Sequence, residues 1–348
     1  RGIDDLQWEE LEDFILTLEN PSPWANVSGA QGSGTANVID DEIPEVNFAR
    51  VSYVANEADA TLDVELKLSH PNENYPLDVS FNLAASTNGG TLSPLTPNAD
   101  YTATPDGFGG FAESVTFVPG ETFKVVSLPI LQDPNLEGTE FGGGKLISDP
   151  RFTSTQDTTT IVLEDDDFAV IRFVEVETSA AEGITLPLEV ELDRPIAADS
   201  KLEITFDIER SANSVAQEVL DFTGPAALPI SVKFTAADNP PVKSGNWFMV
   251  DDAIVEGTEE LILKIKNPTP GATVGALDSL IVNILDNEVS DVQFKLPNSA
   301  VLEEDLSANH SVGVFITNPN VNDTTFVDVG LIGGTALAGT DFNYATQT

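Results

Sequence analysis

Val250–Pro268 reads VDDAIVEGTEELILKIKNP. Two aspartates open it, an acidic turn centred on Gly257 follows, and from Leu261 apolar and polar residues alternate up to an Asn-Pro stop. Period two with Ile and Leu is the pattern of a strand with one buried face. Gly and Asn-Pro are turn chemistry. Together they predict an acidic loop that runs into a strand. The same order stands at Ile130–Phe141, ILQDPNLEGTEF, and at Ile3–Phe14, IDDLQWEELEDF. The last could pass for an amphipathic helix, but Pro134 and Gly138 in one counterpart and Gly257 in the other argue for loop, then strand.

Working outward, three more elements recur at a period of about 120 residues. A terminal acidic cluster reads ANVIDDE at Ala36–Glu42, TIVLEDDD at Thr160–Asp167 and IVNILDNE at Ile281–Glu288. Aligned on the apolar residue before each cluster (Ile39, Leu163, Leu285), the spacings are 124 and 122. A single-Glu element stands at Tyr53–Glu57, Ser179–Gly183 and Ala300–Glu304, and an acid-aromatic element at Asn98–Tyr101, Val219–Phe222 and Gly339–Phe342. The order never changes. The chain therefore divides into the C-terminal part of a repeat (1–42), two whole repeats (43–167 and 168–288) and the N-terminal part of another (289–348). Neither end looks like a natural boundary, and an internal piece of a longer protein is expected. Between the markers, Leu62–Ser69, Ser114–Gly120, Ile230–Ala236 and Asp13–Asn20 alternate as half-buried strands do. About seven strands per repeat predict an all-β fold of tandem immunoglobulin-like β-sandwiches.

The charge balance is lopsided: 58 acidic against 15 basic residues, a formal net charge of -43. Nucleic acid and anionic membranes are poor partners for such a surface, since both need clustered Lys and Arg. No apolar run approaches the ~18 residues of a membrane helix, so membrane insertion is not expected. Acidic solubilisation or salt adaptation is one reading of the charge. Hard-cation binding is the other, because calcium takes oxygen ligands, largely carboxylates. Position favours the second, because the acids recur at loop positions instead of scattering. The chain has no cysteine, which excludes disulfides, thiol nucleophiles and thiolate zinc sites.

These residues resemble the Calx-beta domain, a family named from the sodium–calcium exchanger and found in integrin β4 and many bacterial surface proteins. The resemblance rests on E-G-T-E at Glu137–Glu140 and Glu256–Glu259, the PGE turn at Pro119–Glu121, the Gly334–Phe342 run, Asn-Pro strand ends at Asn20–Pro21 and Asn267–Pro268, and the closing acidic triplets. It implies calcium held by loops at one end of each sandwich. By resemblance, the first whole repeat offers Glu57, Asp100, Asp133, Glu137, Glu140, Glu164, Asp165 and Asp166 as ligands. The second offers Glu182, Asp221, Asp251, Asp252, Glu256, Glu259, Asp286 and Glu288. The leading part offers Asp4, Asp5, Glu9, Glu12, Asp40, Asp41 and Glu42, and the trailing part only Glu303 and Asp341. Gln132 and Asn287 stand where acids are usual.

No nucleophile elbow, zinc-protease or phosphate-loop motif is present, His70 and His310 lie in no motif, and no enzymatic activity is expected. Trp8, Trp24 and Trp247 are read as core or as a sugar platform. The expected role is a calcium-rigidified structural and adhesive repeat region of a large secreted cell-surface protein, such as a bacterial adhesin. Its expected partners are neighbouring repeats, cell-surface or secretion-machinery components, and glycans. A calcium-sensing domain of a membrane transporter and a lectin-like module are the alternatives.

Overall fold

The computed structural model describes residues 2, 8, 9, 11–71, 75–85, 93–102, 111–302 and 310–344. Among these every regular element is a strand, and no helix is long and apolar enough to cross a membrane. The chain splits into two compact units: Arg1–Ala169 with Arg194–Glu203 and Thr235–Asn239, and Val170–Asp193 with Ile204–Phe234 and Pro240–Thr348.

Unit 1 opens with a hairpin of β1 (Glu12–Thr17) and β2 (Ser33–Val38). Nine strands follow: β3 (Val46–Phe48), β4 (Ser52–Asn56), β5 (Thr61–Leu68), β6 (Leu77–Ala85), β7 (Ser93–Pro94), β8 (Phe111–Phe117), β9 (Phe123–Pro129), β10 (Glu140–Leu146) and β11 (Thr158–Glu164). They form a sheet β3-β5-β9 and a larger sheet β4-β11-β10-β6-β8, with β7 paired to β10. Burial alternates along β5, where Leu62, Val64, Leu66 and Leu68 are buried and the residues between them face outward. That is the period-two pattern of a sheet face covered by a second sheet. Phe48 meets Phe81 edge-to-face across the core, with centroids 5.9 Å apart.

In unit 2, β12 (Ala169–Phe173), β13 (Glu177–Ala181), β14 (Thr185–Leu192), β15 (Ile204–Arg210), β16 (Phe222–Thr223), β17 (Ile230–Phe234), β18 (Val242–Met249), β19 (Glu259–Lys266), β20 (Ala272–Val274) and β21 (Ser279–Leu285) build sheets β16-β18-β14-β12-β20 and β13-β21-β19-β15-β17. The decisive strand, β19, buries Leu261, Leu263 and Ile265 and turns its lysines outward. A short hairpin of β22 (Asp291–Phe294) and β23 (Val314–Thr317) follows. Each sandwich carries more strands than the seven the sequence suggested, because short segments such as β7, paired to β10, and β16, paired to β18, add to them.

The β1 hairpin departs from the half-buried expectation: every residue of β1 is exposed. Trp8 and Trp247 are buried in their cores, whereas Trp24 is 95% exposed.

Candidate metal centres

Sandwich topology brings the acidic elements together within each unit. β4 runs parallel to β11, and β13 parallel to β21, so the Glu that follows the first strand lies beside the acidic cluster that follows the second. In unit 1 the Glu57 N–H donates to the Glu164 carbonyl at 3.0 Å, and in unit 2 the Glu182 N–H donates to the Leu285 carbonyl at 3.1 Å. The last Glu of each acidic turn stands at one fixed place in the sheet: Glu12 opposite Val38, Glu140 opposite Leu163, Glu259 opposite Ile284.

The acidic turn itself is built by an aspartate. Asp165 Oδ2 accepts the N–H groups of Glu137 and Gly138 at 2.9 and 2.7 Å, and Asp286 Oδ2 accepts those of Glu256 and Gly257, both at 2.8 Å. Gly138 and Gly257 have φ of 73° and 81°, a region that a side chain disfavours. The other oxygen of each aspartate accepts the N–H two residues on, Asp167 at 2.8 Å and Glu288 at 2.9 Å. Asp40 plays the same part in the leading repeat, accepting the Glu9 N–H at 2.7 Å. These contacts correct the sequence alignment by one residue. Asp40, Asp165 and Asp286 are equivalent, so the spacings are 125 and 121. Glu164 is then the counterpart of exposed Ile39 and Leu285; it lies exposed at the end of β11, outside the acidic groups. Asp167, which the sequence reading passed over, takes its place.

In unit 1, carboxylate oxygens of Glu57, Glu137 and Glu140 lie within 4.8 Å of one another, as do those of Glu57, Asp166 and Asp167. Glu57, Asp100, Glu137 and Glu140 are all buried. Burial, followed by the charges of Asp165, Glu137, Asp133 and Asp100, pushes Glu57 up to about 8. Burial and then Asp100 push Glu137 up to about 7. Glu140 is raised by burial and then by a side-chain hydrogen bond with Asp100. Asp133 holds its own turn, accepting the Asn135 N–H at 2.8 Å.

Unit 2 repeats the arrangement in a more open form. Glu182, Asp251 and Glu288 make one group, and Asp221, Glu256 and Glu259 another, each within 4.8 Å. Glu182 is pushed up to about 7, first by burial, and Glu259 is raised by burial and by its hydrogen bond with Asp221. Asp252 accepts the Ile254 N–H at 2.7 Å, as Asp133 does for Asn135. Asp100, Asp221 and Asp341 each accept a backbone N–H four residues earlier, from Thr96, Gln217 and Leu337.

The leading repeat shows less. Asp4 and Asp5 lie outside the described residues, as does Glu303 of the trailing repeat. Glu12 and Asp41 are exposed, Glu9 is half-buried, and Glu42 is raised by its hydrogen bond with Asp40.

Buried carboxylates this close are self-repelling unless protonated or bridged by a cation. Among the described residues, buried oxygens of Glu57 and Glu140 in unit 1, and of Glu182, Glu259 and Glu288 in unit 2, have no hydrogen-bond partner. Each is a carboxylate acceptor on a residue of these acidic groups, and the donor sets consist entirely of oxygen. This is the chemistry of a hard divalent ion.

Fold and site together define a class: tandem β-sandwiches whose loop ends gather carboxylates. The Calx-beta domain model matches residues 39–167, 164–288 and 286–348, and the chain belongs to the Calx-beta domain family. Among solved structures it is similar to CBD12 from CALX1.2 (15% identity, 69% of this chain and 99% of that chain, TM-score 0.31), to the calcium binding domain CBD12 of CALX1.1 (14%, 68% and 99%, 0.31) and to the apo-form Calx CBD1 domain (16%, 36% and 100%, 0.30). No curated protein matches the chain.

Proposed function

We propose that the chain is a calcium-binding, non-catalytic repeat region, and that calcium bound at the loop ends stiffens a structural and adhesive array of a secreted cell-surface protein. The observation that carries the calcium reading is the set of buried, unpartnered carboxylate oxygens converging in each unit. Calcium takes six to eight oxygens at about 2.3–2.6 Å, and sites of extracellular modules fill at about 10⁻⁴–10⁻³ M. Glu57, Asp100, Glu137, Glu140, Asp166 and Asp167 would hold it in unit 1, and Glu182, Asp221, Asp251, Glu256, Glu259 and Glu288 in unit 2. The surface location is supported by the tandem family matches and the net charge of -43. Its partners on this reading are neighbouring repeats and surface or glycan ligands.

An ion that binds only the folded chain stabilises it by RT ln(1 + [L]/Kd), about 2.7 kcal/mol at a hundredfold excess over Kd. Thermal unfolding in calcium against chelator tests this directly. A rise of roughly 10 °C in Tm is expected. Magnesium, which gives up its water reluctantly, should produce a smaller rise. Identical melting in calcium and chelator would reduce the acids to solubilising charge. Labelling of intact cells with antibody to the chain tests the location. A signal only after permeabilisation would instead favour the interior regulatory domain of a transporter.

A further inference from the structure

The segment Arg194–Glu203 belongs to the second whole repeat in sequence, between β14 and β15, yet it is part of unit 1. It lies directly on the acidic turn. The Ala197 N–H donates to the Leu136 carbonyl at 2.9 Å, Ile196 bridges to Leu136, and the buried Ser200 hydroxyl donates to the Glu137 carbonyl. A side chain at Gly138 would meet Leu202 at 3.2 Å, so the turn fits this segment closely. These contacts hold the backbone at Asp199, one residue before Ser200, beside the acidic turn. Its own side chain is exposed, and its charge raises both Asp100 and Glu137.

We propose that Asp199 is an additional calcium ligand of the unit 1 centre, so that the donor set of one ion draws on two consecutive sequence repeats. This rests on the calcium reading above. At this centre the sign that a ligand is expected is the pair of buried oxygens on Glu57 and Glu140, residues only 2% and 4% exposed, which have no hydrogen-bond partner among the described residues. The inner carboxylates are enclosed by protein. Asp199 stands on a segment fastened to the turn by the Ile196–Leu136 bridge and by the Ser200 hydroxyl, and its exposed carboxylate is the one this segment offers next to Glu137. The arrangement recurs in unit 2. There the Val321 N–H donates to the Val255 carbonyl at 2.9 Å and Asn322 Nδ2 donates to the Glu256 carbonyl at 3.2 Å. This sets Asp323, 124 residues beyond Asp199, beside the second acidic turn.

The test is calorimetric titration of calcium into the full chain carrying Asp199→Asn, in two backgrounds. One disables unit 2 with Glu182→Gln and Glu259→Gln; the other disables unit 1 with Glu57→Gln and Glu140→Gln. With unit 2 disabled, Asp199→Asn should weaken calcium binding about tenfold or more. With unit 1 disabled it should change nothing. Repeating both titrations in high KCl separates a ligand from a distant charge, whose effect salt screens. A loss that persists supports ligation, and one that vanishes overturns it. Unchanged affinity in the unit 2-disabled background also overturns it while leaving the calcium reading intact. Absence of calcium binding by the unmodified chain would sink the calcium reading itself. Melting in chelator, which removal of an exposed acid should leave level or raise, shows that the variant is folded.

Discussion

Gln132 and Asn287 look in the sequence like two separate losses of an acid. In the fold they are the two halves of one exchange. Gln132 Nε2 donates to Asp166 Oδ1 at 3.0 Å, and Asn287 Nδ2 donates to Asp251 Oδ1 at 3.1 Å. Each unit thus keeps one amide and one carboxylate at this place, with the two on opposite partners. The pair bonds only because one member can donate. Gln132→Asp should therefore cost about 1 kcal/mol in chelator, where two carboxylates face each other, and should widen the gap between melting in calcium and melting in chelator. An equal drop in both conditions would count against a role beside the ion. Val219 shows strain of another kind. Its φ is 76°, and its counterparts in the same turn are Asn98 at 63° and Gly339 at 84°. A β-branched residue there costs of order 1–3 kcal/mol, less the ~0.5–1 kcal/mol that glycine loses on ordering. Val219 is 72% exposed, so no packing is lost on its removal. Val219→Gly should raise stability by about 1 kcal/mol, read as a higher denaturation midpoint with unchanged slope.

At the next level the unit of construction is an acidic turn locked to a strand end. Asp286 satisfies the amides of Glu256, Gly257 and Glu288 with one side chain. Asp286→Ala leaves these donors without their acceptor. It should cost about 2–3 kcal/mol and speed hydrogen exchange at Gly257 well before exchange in the β19–β21 ladder changes. Exchange that speeds equally in turn and ladder would show that the turn has no separate stability. The strands around it were legible because burial follows period two: β5 and β19 alternate in the fold as they do in the sequence. The gathering of acids was legible too, since each cluster adjoins a strand and a sandwich brings strand ends together. The fine register was not. Apolar Ile39 and Leu285 drew the alignment to Leu163, although the residue that fixes the turn is the aspartate after them, and Asp167 was missed in consequence. Asp199 lay further out of reach: it carries no motif, and its place depends on backbone contacts made between distant parts of the chain.

The chain carries a net charge of -43, and on the proposed reading protons and calcium would compete for the same oxygens. Glu57 is raised from 4.5 to about 8, and Glu137 and Glu182 from 4.5 to about 7. An unfolded chain releases these protons near the ordinary value. Between about pH 4.5 and pH 8 the native chain therefore holds more protons than the unfolded one, and stability without a cation falls as pH rises through that window. The stabilising contribution is complete below 4.5 and lost above 8. On the proposed calcium reading the ion would take the deprotonated groups and release their protons, so its own contribution would grow over the same interval. In chelator, Tm should fall from about pH 5 to about pH 8, and in calcium it should stay level or climb. Repulsion among the remaining acids also grows with pH, but that part is screened by salt. Curves in concentrated KCl should therefore still diverge, because proton retention by buried glutamates depends on their desolvation and close neighbours and not on the distant field. Parallel curves with and without calcium would mean that the buried glutamates are not where the ion binds.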